Sequence, residues 1–134
     1  MYNKVMKIPA YNEIPEVGLY LEQVIKYLNM YLEGEATITP TMVTNYVKLK
    51  IVPKAVKKAY SREQIAMFFF IAISKSILSM DQIRKVFTLR TDAEKLYRTF
   101  SEGLEGKKTD DVLLDSIAAS IRYKADLDRL IKSL

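Results

Sequence analysis

The chain has no cysteine and no histidine among its 134 residues. That removes disulfides, thiol nucleophiles, imidazole bases and the usual zinc ligands together. It has only four glycines, none in a phosphate-cradling pattern, so a nucleotide site built on a glycine-rich loop is not expected. Long apolar runs are missing too. The most apolar stretch, 65–73, is nine residues long, whereas a membrane-spanning helix needs about 20. The first residues, "MYNKVMKIPAYNEIPEV", carry two prolines and no apolar core, and read as neither signal peptide nor anchor. With no cysteine, this points to a cytoplasmic protein.

Anions are missing from one particular place. Between Ala36 and Arg62 there are six cations and no Asp or Glu, while the whole chain carries a net charge of +5. The rest of the chain therefore sums to −1, and all the excess positive charge lies in one short segment. Such segregation is the electrostatic footprint of a surface that meets a polyanion. Hydrophobic residues make up 49% and charged residues 28%, the composition of an ordinary globular domain.

The apolar pattern is helical nearly throughout. Residues 1–16 read as an extended arm punctuated by Pro9 and Pro15, with Tyr11 and Ile14 as clamps onto the body. Val17, Leu21, Val24, Leu28 and Leu32 recur at helical spacing, predicting a helix over 17–33 that Gly34 ends. Thr39 before Pro40 is a cap followed by a first-turn proline, opening a short helix over 40–49. Residues 50–60 contain Pro53 and read as a short hairpin or irregular loop. Ser61 with Gln64, Ser79 with Gln82 and Thr91 with Glu94 have the spacing of capping boxes and predict three further helices. A long helix over 110–133 follows. The expected fold is all-α: an arm (1–16), a helix-turn-helix region (17–90) and C-terminal helices (91–134) that pack or dimerise.

The segment 40–49 carries the chemistry. Thr41, Thr44, Asn45 and Lys48 share one helical face, and Val43, Tyr46 and Val47 lie on the other. Hydroxyls with methyls, a carboxamide and an ammonium are the groups that read base edges in a major groove. The preceding helix, a turn and this helix make a helix-turn-helix. Lys50, Lys54, Lys57 and Lys58 then supply cations for the phosphate backbone, with Tyr60 and Arg62 closing the run. A polar helix face that merely meets water, beside a solvated lysine loop, would produce the same pattern. It would not explain why the two blocks adjoin.

These residues resemble a known family. "ITPTMVTNYVKLKIVPKAVKKAYSREQ" is similar to the winged helix-turn-helix of MerR-type transcription regulators, with Thr39, Tyr46, Ile51, Val52, Pro53, Tyr60, Ser61, Glu63 and Gln64 as the matching positions. More closely, "IPAYNEIPEVGLYLEQVIKYLNMYL" followed by "ITPTMVTNYVK" resembles a Firmicutes family catalogued as domain of unknown function 1836, whose members are presumed transcription regulators. The resemblance implies a winged helix-turn-helix with a short wing hairpin. Thr44 and Asn45 stand where MerR-type helices usually carry Arg and Tyr, and the glycine usual at the wing tip is missing.

The reading that follows is a DNA-binding transcription regulator, not an enzyme. Its DNA-binding residues are Thr41, Thr44, Asn45, Lys48, Lys50, Lys54, Lys57, Lys58, Tyr60 and Arg62. Double-stranded DNA is the expected partner, with no cofactor, no metal and no membrane. The stripe Tyr123, Leu127, Leu130 and Leu134 offers a homodimer seam, helped by residues 91–104. The alternative is a helical interaction module whose basic face binds an acidic protein. Asp110, Asp111 and Asp115 read as acids stabilising a helix start rather than as metal ligands.

Overall fold

In the computed structural model, residues 7–134 are described; the first six residues of the expected arm lie outside them. Their fold is all-α. Three consecutive phenylalanines organise it. They sit on α3 (Arg62–Ser74), a helix apolar on every side and therefore surrounded on every side. Successive helical side chains point about 100° apart, so Phe68, Phe69 and Phe70 each face a different neighbour. Phe68 meets Tyr60 edge-on, with ring centroids 5.4 Å apart. Phe69 meets Tyr27, Tyr31 and Tyr97. Phe70 meets Phe87 and, at 4.7 Å, Phe100. All three are fully buried.

The elements they hold are α1 (Leu21–Asn29), α2 (Pro40–Lys48), α4 (Met80–Leu89), α5 (Ala93–Leu104) and α6 (Val112–Lys132). One contiguous buried cluster runs from Tyr11 to Ile121, so the three regions expected from the sequence, 1–16, 17–90 and 91–134, share a single core. Gly103 of α5 lets α6 approach closely: a Cβ there would lie 2.7 Å from that of Ala118. The arm is tied down as expected. Tyr11 and Ile14 are buried, and the buried Tyr97 hydroxyl donates to the Pro9 carbonyl at 2.6 Å. Among the described residues, no helix is long and apolar enough to cross a membrane.

Two capping boxes form where the spacing predicts them, at Ser61–Gln64 and Ser79–Gln82. The third does not. Asp92, rather than Thr91, accepts from the Lys95 amide and caps α5, because a carboxylate suits the positive end of a helix better than a hydroxyl. The first helix is also shorter than its apolar pattern. Leu19–Tyr20 (β1) leaves it to pair antiparallel with Ala59–Tyr60 (β2). At its other end the Asn29 side chain grips the next segment.

The expected wing hairpin over 50–60 is not present as two paired strands. Its tip exists, a single bridge between Val56 and Ala59, but β2 takes its partner from β1. The cause is local. Pro53 has no amide to donate, and the carbonyls of Pro53 and Lys54 both accept from the Gln64 side chain. The stretch that would form the first wing strand has its hydrogen-bonding groups committed elsewhere.

Candidate nucleic-acid interface

The α2 helix divides as its sequence predicts. Val43 and Tyr46 are buried, whereas Thr41, Thr44, Asn45 and Lys48 are all exposed on the opposite face. Thr39 caps the helix, its Oγ accepting from the Met42 amide at 3.2 Å, and Pro40 occupies the first turn. The Thr44 hydroxyl donates to the Pro40 carbonyl at 2.9 Å, which fixes its rotamer and leaves the oxygen lone pairs outermost. Asn45 is exposed, and its carboxamide can act as both donor and acceptor.

Two side chains set where this face points. Asn29, the last residue of α1, donates from Nδ2 to the Ile38 carbonyl and accepts at Oδ1 from the Ile38 amide, both at 2.9 Å. This two-way bond imitates one rung of a β-ladder and fixes the loop that feeds α2. Arg84 of α4 donates from Nη2 to the Leu49 carbonyl at 2.9 Å and satisfies the C-terminal end of α2. Sequence reasoning missed both, because their partners are backbone groups 9 and 35 residues away.

The helix then ends in a way that carries an unusual residue. The Lys50 amide bonds the Val47 carbonyl and the Ile51 amide bonds the Tyr46 carbonyl, both at 2.9 Å. This is the Schellman arrangement, and it needs a left-handed residue, usually Gly, just past the helix. Here that residue is Lys50, with φ 59°. Seven residues on, the bridge between Val56 and Ala59 is closed by a two-residue turn in which Lys57 and Lys58 have φ 50° and 67°. Positive φ at both central positions marks a type I′ turn, whose usual residues are Asn-Gly. These three lysines are the only non-glycine residues with positive φ among those described. A side chain in this region costs about 1–2 kcal/mol.

Lys50, Lys54, Lys57 and Lys58 are exposed and follow the polar face of α2 along the chain. Gln64 anchors the loop between them: its Nε2 donates to Pro53 at 2.6 Å and to Lys54 at 3.1 Å, and its Oε1 accepts from the Ser61 amide. The result is four exposed lysines within nine residues of constrained backbone, next to a polar helix face without an acid.

Two expected members fall out. Tyr60 is only 9% exposed, with its ring packed on Phe68 and its phenol pKa raised by burial. It is core. Arg62 is directed inward to the arm: Nε donates to the Ile14 carbonyl at 2.7 Å and Nη2 to the Asn12 carbonyl, with the guanidinium 5.5 Å from the Tyr11 ring centre. It holds the N-terminal segment in place. The C-terminal stripe behaves differently. Tyr123, Leu127, Leu130 and Leu134 are all exposed, joined by Ile131. Among the described residues no group of three or more Asp or Glu could hold a metal. Asp111 caps α6 and pairs with Arg90, and Asp115 accepts from Thr109.

A small α-helical domain with an exposed polar helix, followed by a cationic loop, is the class these features define. The chain belongs to the family described as "Domain of unknown function (DUF1836)", whose profile matches residues 9–101. That span covers residues 9–16 of the arm, α1, α2, the basic loop, α3, α4 and most of α5, and leaves α6 outside. No curated protein and no solved structure matches the chain.

Proposed function

We propose that this protein is a DNA-binding transcription regulator of the winged helix-turn-helix kind, related in plan to MerR-type regulators. The α2 face of Thr41, Thr44, Asn45 and Lys48 reads base edges in the major groove. Lys50, Lys54, Lys57 and Lys58 bind the flanking phosphates, and the Lys57–Lys58 turn stands in for a wing reduced to its tip. Two copies pair through α6 to read two half-sites, and the protein works in the cytoplasm on double-stranded DNA without a cofactor.

The observation that carries this reading is the trio of left-handed lysines. At Lys50, Lys57 and Lys58 the backbone favours Gly, yet each position keeps a long cationic side chain. Backbone strain of this kind collects at functional sites, where it is offset by the rest of the fold. A solvated lysine loop would gain nothing from holding its charges in strained conformations. A phosphate track would gain fixed geometry for each contact.

Fluorescence anisotropy on labelled duplexes tests the reading. Each phosphate-bound lysine contributes about −0.9 to the slope of log K against log salt, so replacing Lys57 and Lys58 by Gln should flatten the slope by about 2. Asn45→Ala should instead relax sequence preference at one base pair per half-site, since a bidentate base contact is worth about 1–3 kcal/mol of discrimination. Binding to an acidic protein would leave the Asn45 face silent in both assays. Absence of duplex binding at low salt would end the proposal.

A further inference from the structure

We propose that the groove between the end of α2 and α4 binds a small anion carrying an apolar chain, of the medium-chain carboxylate class. The groove is open to solvent along one side and offers about 540 Å³, a volume within the range of ligand sites. Its apolar floor is made by Val47, Met67 and Phe87, each half-buried, and its rim by Lys50, Lys54 and Arg84. No lining residue is acidic. Two other clefts differ in this respect: the one beside α5 is lined by Asp92, Glu102 and Asp111, and the one beside α6 by Glu33, Glu35 and Asp128. Only the α2–α4 groove of these three matches a negative head group by charge.

The backbone beneath the two lysines is fixed, and the Arg84 guanidinium is itself bonded. Lys50 sits on the Schellman turn, and Lys54 on the loop whose carbonyl Gln64 grips. Arg84 is oriented by the Leu49 carbonyl at 2.9 Å and by Asp81 at 2.8 Å. A bare phosphate or acetate would use the rim and leave the apolar floor wet. A chain on the floor adds about fourfold in affinity for each methylene it buries. A neutral lipid would offer nothing to Lys50 and Lys54, while Arg84 already has Asp81. The combination selects an amphipathic anion. Lys50 and Lys54 also belong to the proposed phosphate track, so a bound carboxylate would weaken DNA binding; this consequence, unlike the binding itself, rests on the DNA reading.

The test titrates the full chain, without DNA, with octanoate, acetate and 1-octanol, by calorimetry and by the methyl resonance of Met67. Octanoate should bind at least about tenfold more tightly than either control, as expected for adding a charge-assisted contact or an apolar one. The Met67 methyl should shift on saturation, and Lys54→Gln should weaken octanoate by about tenfold without changing the thermal midpoint. Equal binding of octanol or acetate, an unmoved Met67 methyl, or an unaffected Lys54→Gln variant would each overturn the site. A second titration, with duplex DNA at fixed octanoate, separates the two readings. Octanoate binding by a protein that ignores DNA would leave the site standing and remove the regulator; DNA binding without octanoate binding would do the reverse.

Discussion

The carboxamide of Gln64 donates to the carbonyl of Pro53 at 2.6 Å across eleven residues of chain. The same side chain closes the capping box of α3. One residue thus joins the start of the central helix to the base of the cationic loop. Replacing it separates these roles. Gln64→Glu keeps the acceptor for the Ser61 amide but turns a carboxylate toward two carbonyl oxygens. Removing a buried donor costs about 1–3 kcal/mol, and that loss should appear as a lower urea midpoint at neutral pH. Acidification should restore part of it by protonating the new carboxyl. A variant as stable as the parent at pH 7 would mean that the loop is not held by this bond.

Lys50, Lys57 and Lys58 lead to a less usual expectation, stability gained by mutation. Changing a left-handed residue to Gly relieves about 1–2 kcal/mol of steric cost, while the added freedom of the unfolded chain takes back about 0.5–1 kcal/mol. Each Lys→Gly change should therefore leave the folded state unchanged or stabilise it by up to about 1.5 kcal/mol. DNA affinity should fall at the same time. Lys54 is the control: its φ is not positive, so Lys54→Gly should destabilise. Chemical denaturation and DNA titration on the same four variants decide the matter. If the Gly variants lose stability, these lysines serve the fold and their left-handed backbone is no mark of a phosphate site.

What could be read in advance, and what could not, follows the range of each interaction. Capping boxes use residues three apart, so Ser61–Gln64 and Ser79–Gln82 were legible. The α2 face was legible because burial of Val43 and Tyr46 repeats with the helical period. Tyr60 and Arg62 misled, since an aromatic and a cation at the end of a basic run look like surface. Their true partners, Phe68 for the one and the arm carbonyls of Asn12 and Ile14 for the other, are fixed by tertiary packing. The left-handed turns were hidden for a different reason. Such turns are recognised by Gly and Asn, and here lysine occupies them. The second role of Gln64 was hidden because its capping role already accounted for the residue.

Asp111 gives a pH dependence. Its carboxyl is held below the ordinary carboxylate range chiefly by the Arg90 guanidinium, 2.6 Å away, with help from the Leu114 amide and against the opposing effect of burial. A depressed folded-state pKa contributes stability that is present above the unfolded value, about 3.9 for Asp, and is lost as pH falls through the folded value. Asn at this position keeps a helix cap but removes the charge. The urea midpoint of Asp111→Asn should therefore be lower than that of the parent at pH 7, and the gap should begin to close as pH falls below about 4. Parallel curves down to pH 3 would show that the Arg90 pair contributes nothing to acid sensitivity.

The last helix is 21 residues, about 31 Å long, and only its first half is used by the core. Leu114, Ile117, Ala118 and Ile121 are buried against the body, and beyond them Tyr123 is 68% exposed with Leu127, Leu130, Ile131 and Leu134 also open. The 4-3-4 spacing of Tyr123, Leu127, Leu130 and Leu134 is that of a coiled-coil seam, though too short to hold alone. Residues 91–104 offer little apolar help, because Leu96, Tyr97, Phe100 and Leu104 of α5 are buried within the chain. Support must come from Ile131 and the polar flanks of α6 on the second copy. A two-fold pair of this kind would present two α2 faces to two half-sites. Light scattering at tens of micromolar should report a dimer for the full chain and a monomer for Leu127→Lys/Leu130→Lys. The double variant should unfold at the concentration-independent midpoint of a folded monomer, since neither side chain is in the core, whereas the parent's midpoint should rise with concentration; the variant's DNA binding becomes weaker and half-site sized. A monomeric parent, with and without DNA, would remove the seam from the proposal and leave α2 to read a single site.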